Sequence, residues 1–225
     1  GAEIGEGSMI DLHTHSLLSD GDLLPAELVR RAEVTGYRAV AITDHADSSN
    51  LDWIIPRLIQ VSQDLNAHGK IRVIPGIELT HLPPALIAPL TARARSLGAQ
   101  LVLVHGETIV EPVAPGTNHQ AIEAGVNILA HPGLISEEDL ILACEKGVFL
   151  EITSRPGHSL SNGHVARMAQ KAGAAMVLNT DTHLPGDLIS REKALKVVLG
   201  AGLKSEDFDR MLENSWRLLS GARKV

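Results

Sequence analysis

Six of the eleven histidines in this 225-residue chain stand at the ends of short apolar segments, most of them beside acidic residues. His13 and His15 close MIDLHTH (9–15), and Asp44 with His45 closes YRAVAITDH (37–45). Glu78 ends IRVIPGIEL (71–79), His105 lies in QLVLVHGE (100–107) and His131 in VNILAHP (126–132). Glu151 lies in VFLEIT (148–153), and Asp181 with His183 ends AMVLNTDTH (175–183). Asp20 follows the first segment. Imidazole with carboxylate is a donor set for Zn, Mn, Fe or Co rather than for Mg or Ca. His13, His15, Asp20, His45, Glu78, His105, His131, Asp181 and His183 are too many ligands for one four-coordinate zinc. They suit two or three divalent ions, especially if a carboxylate bridges two of them.

These side chains are far apart in sequence, so a scaffold must gather them. Each segment is a continuous apolar run, as in strands buried on both faces of a parallel sheet. Helical patterns lie between them, at about 25–35, 52–68, 83–97, 118–124, 136–146, 163–172, 188–200 and 205–220. Pro25 and Ser136 mark helix starts, and Gly36, Gly69, Gly98, Gly125, Gly147 and Gly173 mark helix ends that call for a left-handed residue. Seven alternating units predict an α/β fold, a closed or nearly closed (β/α)7 barrel of the TIM type. An open doubly wound sheet is the runner-up; its usual Gly-rich phosphate loop is not present after the first segment. In a parallel barrel the C-terminal strand ends share one rim, where barrel enzymes keep their sites. Residues two apart on a strand share a face, which pairs His13 with His15 and Asp181 with His183. A lone histidine at a strand end usually only hydrogen-bonds at the rim, and Asp20 and Asp44 also read as helix caps. The recurrence at one structural phase favours a shared metal site.

Composition narrows the function. Twenty basic against 27 acidic residues leave a net charge of −7, which argues against a nucleic-acid surface. Aromatics are only 2%, too few for a base-stacking platform. No apolar run is long enough for a membrane span, and residues 1–8 do not read as a secretory signal. They read as a disordered leader or cloning remnant before a single domain, 9–225. One cysteine, Cys144, fits a reducing cytoplasm, and its LILAC context predicts burial. The sequence leaves room for a homo-oligomer.

The ordered set DLHTHSLLSDG, AITDH, PGIEL, VLVHGE, ILAHPG, LEIT and NTDTH resembles the PHP (polymerase and histidinol phosphatase) family, over about residues 10–184. The resemblance implies a distorted (β/α)7 barrel with a trinuclear metal centre. It assigns one metal to His13, His15, Glu78 and Asp181, a second to Glu78 as bridge with His105 and His131, and a third to Asp20, His45 and His183. Glu78, Asp181 and His183 are expected to be catalytic as well. Glu151 and Asp44 are expected behind the ligands, with Asp44 orienting a ligand histidine. The short span from Glu78 to His105 leaves no room for the helical insertion of relatives that trim nucleic acids. The chain is most similar to compact, free-standing histidinol-phosphatase-like members.

The expected reaction is hydrolysis of a small-molecule phosphate monoester by water activated between metals. The loop TSRPGHSLSNGH (153–164) is the expected substrate contact, through Arg155, His158 and Asn162, with Ser154 as a further donor. His164 carries a weaker claim, and Arg191 is a distant second phosphate candidate. His68, His81 and His119 read as solvated. Two alternatives remain: a metal-dependent C–N hydrolase on a similar barrel, and a metal-bound sensor without turnover.

Overall fold

In a computed structural model, which describes residues 7–222, parallel strands alternate with helices along the chain. The strands are β1 (Ile10–Thr14), β2 (Ala39–Ile42), β3 (His45–Ala46), β4 (Arg72–Leu79), β5 (Leu101–His105), β6 (Ile128–Ala130), β7 (Phe149–Thr153) and β8 (Met176–Asn179). The helices are α1 (Pro25–Thr35), α2 (Leu51–His68), α3 (Ile87–Ser96), α4 (Thr117–Glu123), α5 (Glu137–Lys146), α6 (Asn162–Ala172), α7 (Arg191–Gly200) and α8 (Ser205–Gly221). All strand pairings are parallel, in the order β1-β2-β4-β5-β6-β7-β8, with β3 also on β4. β2 and β3 are one strand interrupted at Thr43 and Asp44. Ile42 pairs with Pro75 before the break and His45 with Glu78 after it, in unchanged register. The seven expected strand positions are therefore filled, the second in two pieces, and the fold is a nearly closed TIM-like α/β barrel.

Two apolar layers hold it. Inside, Ile10, Leu12, Ala39, Ala41, Ile74, Leu101, Leu103, Ile128 and Val177 form one cluster, closed by Leu219 and Ala222 at the end of α8. Outside, the other strand faces meet the helices. In α1, for example, Pro25, Leu28, Val29 and Ala32 make the buried stripe, the spacing of an amphipathic helix.

The seam between β8 and β1 is closed differently. A single bridge joins Thr14 to Thr182, and His15 N–H donates to the Thr182 carbonyl at 2.8 Å. Side chains supply the rest. Leu12 N–H donates to Asn179 Oδ1 at 2.9 Å, and buried Asp11 accepts from the Thr180 hydroxyl and from Thr180 N–H. Burial pushes the Asp11 carboxyl up to about 6, against the lowering effect of its bonds to Thr180 and His13.

Two local expectations change. Gly69 ends α2 in extended conformation, φ −94° and ψ 175°, not left-handed. Cys144 is exposed, because α5 turns Leu140 and Ala143 inward and leaves its neighbour outside. Of the expected leader, only Gly7 and Ser8 lie within the described residues, and the Gly7 carbonyl accepts from Arg191 Nη1. No described helix is long and apolar enough to cross a membrane.

Candidate metal centre

All nine expected ligands meet at the C-terminal mouth of the barrel, most of them buried. Glu78 Oε2, on β4, lies 3.0 Å from His13 Nε2 and 3.3 Å from His15 Nε2. Asp181 Oδ1, beyond β8, lies 3.4 and 3.1 Å from the same two nitrogens. His131 Nε2, beyond β6, is 3.6 Å from Glu78 Oε1 and 3.6 Å from Asp181 Oδ2. Asp20 approaches the cluster from the β1–α1 loop, 3.1 Å from His183 Nε2 and 3.5 Å from His45 Nε2. The His15 ring stacks on those of His45 and His183, with centroids 4.2 Å away in each case.

The backbone bends where it delivers these groups. His131 and Asp181 have φ of 27° and 53°, rare for residues with a Cβ. The strands have ended before them, so the two-residue alternation expected for Asp181 and His183 does not operate there. They converge through the turn instead, where His183 Nδ1 donates to the Asp181 carbonyl at 2.9 Å. The loops after β5 and β6 interlock through glycine. A Cβ at Gly106 would come within 2.2 Å of the Ala130 carbonyl oxygen, and one at Gly133 within 1.9 Å of that of Glu107. Only bare backbone lets the segments carrying His105 and His131 lie so close.

The donor set fits cations. His15 Nδ1 and Nε2, Glu78 Oε1, His131 Nδ1 and Asp181 Oδ1 are buried without a hydrogen-bond partner. Such orphans are costly and uncommon in a folded core. They are grouped around common points, as donors converging on ions would be. Suitable groups are His13–His15–Glu78, His13–His131–Asp181 and His15–Asp20–His45–His183.

Residues 11–155 match the PHP domain family model, more than half of the chain. The chain belongs to the PHP domain family. It is 50% identical over 204 residues to an uncharacterized protein of Methanocaldococcus jannaschii, covering 90% of this chain and 94% of that one. It is 24% identical over 223 residues to a Thermoanaerobacter sp. protein named "Probable phosphatase", covering 88% of each. Its fold is similar to a chain in the cryo-EM structure of archaeal ribonuclease P with mature tRNA. There the TM-score is 0.72 at 15% identity, covering 94% of this chain and 90% of that one.

Around the PHP centre, the supporting side chains divide differently from the sequence reading. Glu151 stands behind the ligands. Its Oε2 is 2.7 Å from His13 Nδ1 and accepts from Asn179 Nδ2 at 2.9 Å, and its Oε1 accepts from His131 N–H at 3.3 Å. Asp44 does not orient a histidine. It accepts from the Ser16 N–H and hydroxyl at 2.7 Å each and from the Ser19 hydroxyl at 2.6 Å, so it shapes the loop that carries Asp20. Asn162 is no substrate contact either: buried, it spends its amide on Thr153 N–H and the Thr153 carbonyl. Arg155 lines the cleft, with Nη1 3.1 Å from Asp187 Oδ2. Arg191 lies away from it, 5.2 Å over the Phe208 ring and 3.7 Å from Asp209. His164 Nε2 donates to the Ile135 carbonyl.

The cleft also holds side chains that the sequence reading passed over. Glu111, in the β5–α4 loop, places Oε2 2.8 Å from His105 Nε2 and 3.1 Å from His81 Nε2. His81, read as solvated, lines the cleft with it. His158, expected as a substrate contact, also lines the cleft, 2.7 Å from the Thr108 hydroxyl.

Burial opposes charge on Glu78, yet the His13 and His45 imidazoles outweigh it and hold that carboxyl well below its usual range. Asp181 is held down in the same way by His13 and His15. Conversely, burial would lower His13, but Glu151, Glu78 and Asp181 outweigh it and raise it strongly. Burial would lower His45 too, but Glu78 and Asp20 outweigh it and raise it to about 10. Burial and neighbouring His105 keep His131 low and neutral. Ionised carboxylates around imidazole nitrogens are the electrostatic requirement of a multi-cation site.

Proposed function

We propose that this PHP domain is a metal-dependent phosphoesterase that hydrolyses a small-molecule phosphate monoester. One observation carries the reading. Six imidazoles and three carboxylates converge at the floor of a cleft of about 430 Å³, with Arg155 the lone arginine or lysine among its described lining residues. That volume is within the usual range for small ligands. The similarity to a relative named as a phosphatase supports the same reading.

His13, His15, Glu78 and Asp181 would hold one divalent ion; Glu78, His105 and His131 a second; Asp20, His45 and His183 a third. When bound, Zn, Mn or Fe ions at these positions supply charge for phosphoryl oxygens and acidify water. The chain's own residues do the rest. Glu151 fixes the His13 ring and the His131 backbone, so the donor atoms are in place before substrate arrives. Asp187 holds one edge of the Arg155 guanidinium, leaving other N–H groups for a phosphoryl oxygen. Glu78 and Asp181, kept ionised, keep their oxygens available as donors. The net charge of −7 favours a small substrate over nucleic acid, and the lone cysteine favours a cytoplasmic setting.

The test is a substrate panel run on metal-reconstituted protein, containing phosphate monoesters (histidinol phosphate among them), diesters, oligonucleotides, amides and lactones. Turnover of monoesters, abolished by chelation and inhibited competitively by inorganic phosphate, is the expected result. Turnover confined to amides or lactones would make it a C–N or ester hydrolase. Turnover confined to oligonucleotides would refute the small-molecule reading, and full metal loading without turnover of any member would leave a sensor.

A further inference from the structure

The loops after β5 and β7 press a second donor group against the centre. His158 is 6% exposed. Its ring stacks on His131, with centroids 4.0 Å apart and planes 15° from parallel, and meets His105 edge-on at 5.7 Å. Ring nitrogens of His105, His131 and His158 lie within 4.8 Å of one another. The Thr108 hydroxyl is 2.7 Å from His158 Nδ1. The other nitrogen, Nε2, faces the carboxylates, 3.9 Å from Asp181 Oδ2 and 3.5 Å from Glu111 Oε1. The Thr108 hydroxyl holds the ring in place and can accept from Nδ1–H, the tautomer that leaves Nε2 free as a metal donor, as in metal-ligating histidines.

The chain is built to hold that ring. Gly157 turns at φ 86°, ψ −60° and opens the 3-10 turn 158–161. Immediately after the turn, Asn162 bonds both backbone groups of Thr153, clamping the loop to the end of β7. Facing it across the cleft is Glu111, partly exposed, with Oε2 2.8 Å from His105 Nε2.

We propose that His158 is a tenth metal ligand, sharing one divalent ion with His105 and His131, and that Glu111 is the exchangeable outer donor of that ion, displaced by an incoming anion. Three imidazoles make that position selective for Zn, Fe or Co over Mg. Glu111 then excludes weak anions, because an entering oxygen has to outcompete a carboxylate already in place. The exchange half rests on the phosphoesterase reading; the ligand half does not.

The ligand half is tested by titrating metal-free, full-chain protein with cobalt(II) alone. Visible absorption and metal content after dialysis are the readouts, with circular dichroism as the fold control. His158→Ala is expected to lose one bound equivalent, or to hold it at least about tenfold more weakly, with a changed spectrum. Thr108→Val, which removes only the orienting hydroxyl, is expected to weaken the same equivalent less, and it carries the test if His158→Ala does not fold. Wild-type stoichiometry, affinity and spectrum in both variants overturn the ligand role. The same cobalt result with weaker phosphate binding in His158→Ala also overturns it, and makes His158 an anion contact. For the exchange half, calorimetry of inorganic phosphate binding to metal-loaded protein should show Glu111→Gln binding about threefold or more tighter than wild type. Equal or weaker binding overturns the exchange. If phosphate binds neither protein, the phosphoesterase reading falls and the exchange with it, while the cobalt titration still decides His158.

Discussion

Glu151→Gln isolates the scaffold behind the metal centre. The carboxylate is fully buried, and its two oxygens face His13 Nδ1, Asn179 Nδ2 and His131 N–H. Glutamine has the same shape but one acceptor oxygen. Wherever its amide NH2 group points, it meets a donor already aimed at that position. The loss is one charge-assisted hydrogen bond in a dry site, about 1.5–3 kcal/mol. Metal sites in general give a second estimate. Removing a partner behind a metal ligand typically costs roughly 10–100-fold in metal affinity, or about 1.4–2.8 kcal/mol. The two agree, so Glu151→Gln should hold its metals about 10–100-fold more weakly in a chelator competition. Its melting temperature in the presence of metal should fall by about 3–12 °C, from a scale of roughly 2–4 °C per kcal/mol for a chain of this size. A variant that matches wild type in both measurements would refute the view that Glu151 positions His13 and His131.

Three other expectations are more direct. Asp181→Asn, tolerated by the left-handed backbone there, should cost more phosphate-ester turnover than the roughly 10–100-fold typical of outer partners, with cooperative unfolding retained; substantial residual turnover would count against the site. Arg155→Ala should lower kcat/KM about 10–100-fold through loss of one charged contact, with metal content unchanged by elemental analysis; unaltered kinetics would remove Arg155 from substrate binding. In α8, burial raises the Asp207 carboxyl, but Lys204 N–H, Arg210 and Gln170 outweigh it and hold it below its usual range. Its contribution is therefore present at neutral pH and fades as pH falls from the ordinary aspartate value of about 3.9 towards the lower folded value. Asp207→Asn, which removes the charge from an acceptor in the first turn of α8, should cost about 1 kcal/mol at pH 7 and flatten that acid loss, both measurable by denaturant melts.

The barrel and the gathering of histidines and carboxylates at its mouth are legible in the sequence because both are periodic. Each strand is a continuous apolar run, and each carries a histidine or a carboxylate at or just beyond its end. What the pattern cannot show is how a side chain is spent once the loops close. Asp44 and Asn162 have the composition of site residues, but each is consumed by neighbouring backbone or hydroxyl groups. Glu111 lies in the β5–α4 loop and His81 in the β4–α3 connection, both without period, and only the folding of those two segments brings them to His105. Cys144 shows the converse. LILAC is apolar throughout, yet the helix buries only the face of Leu140 and Ala143.

The seam between β1 and β8, and the plug that α8 places under the barrel, impose an order on how this molecule comes into being. The first strand leaves the ribosome ahead of the other strands, and its neighbour across the seam and the Leu219 and Ala222 stopper follow only after all the rest of the barrel. Until then the nascent chain must carry a raw strand edge and an uncovered aliphatic lumen, both prone to sticking. Ring closure is thus a late, long-range event, and the metal pit, whose His13 and His15 come from that first strand, can be completed only after it.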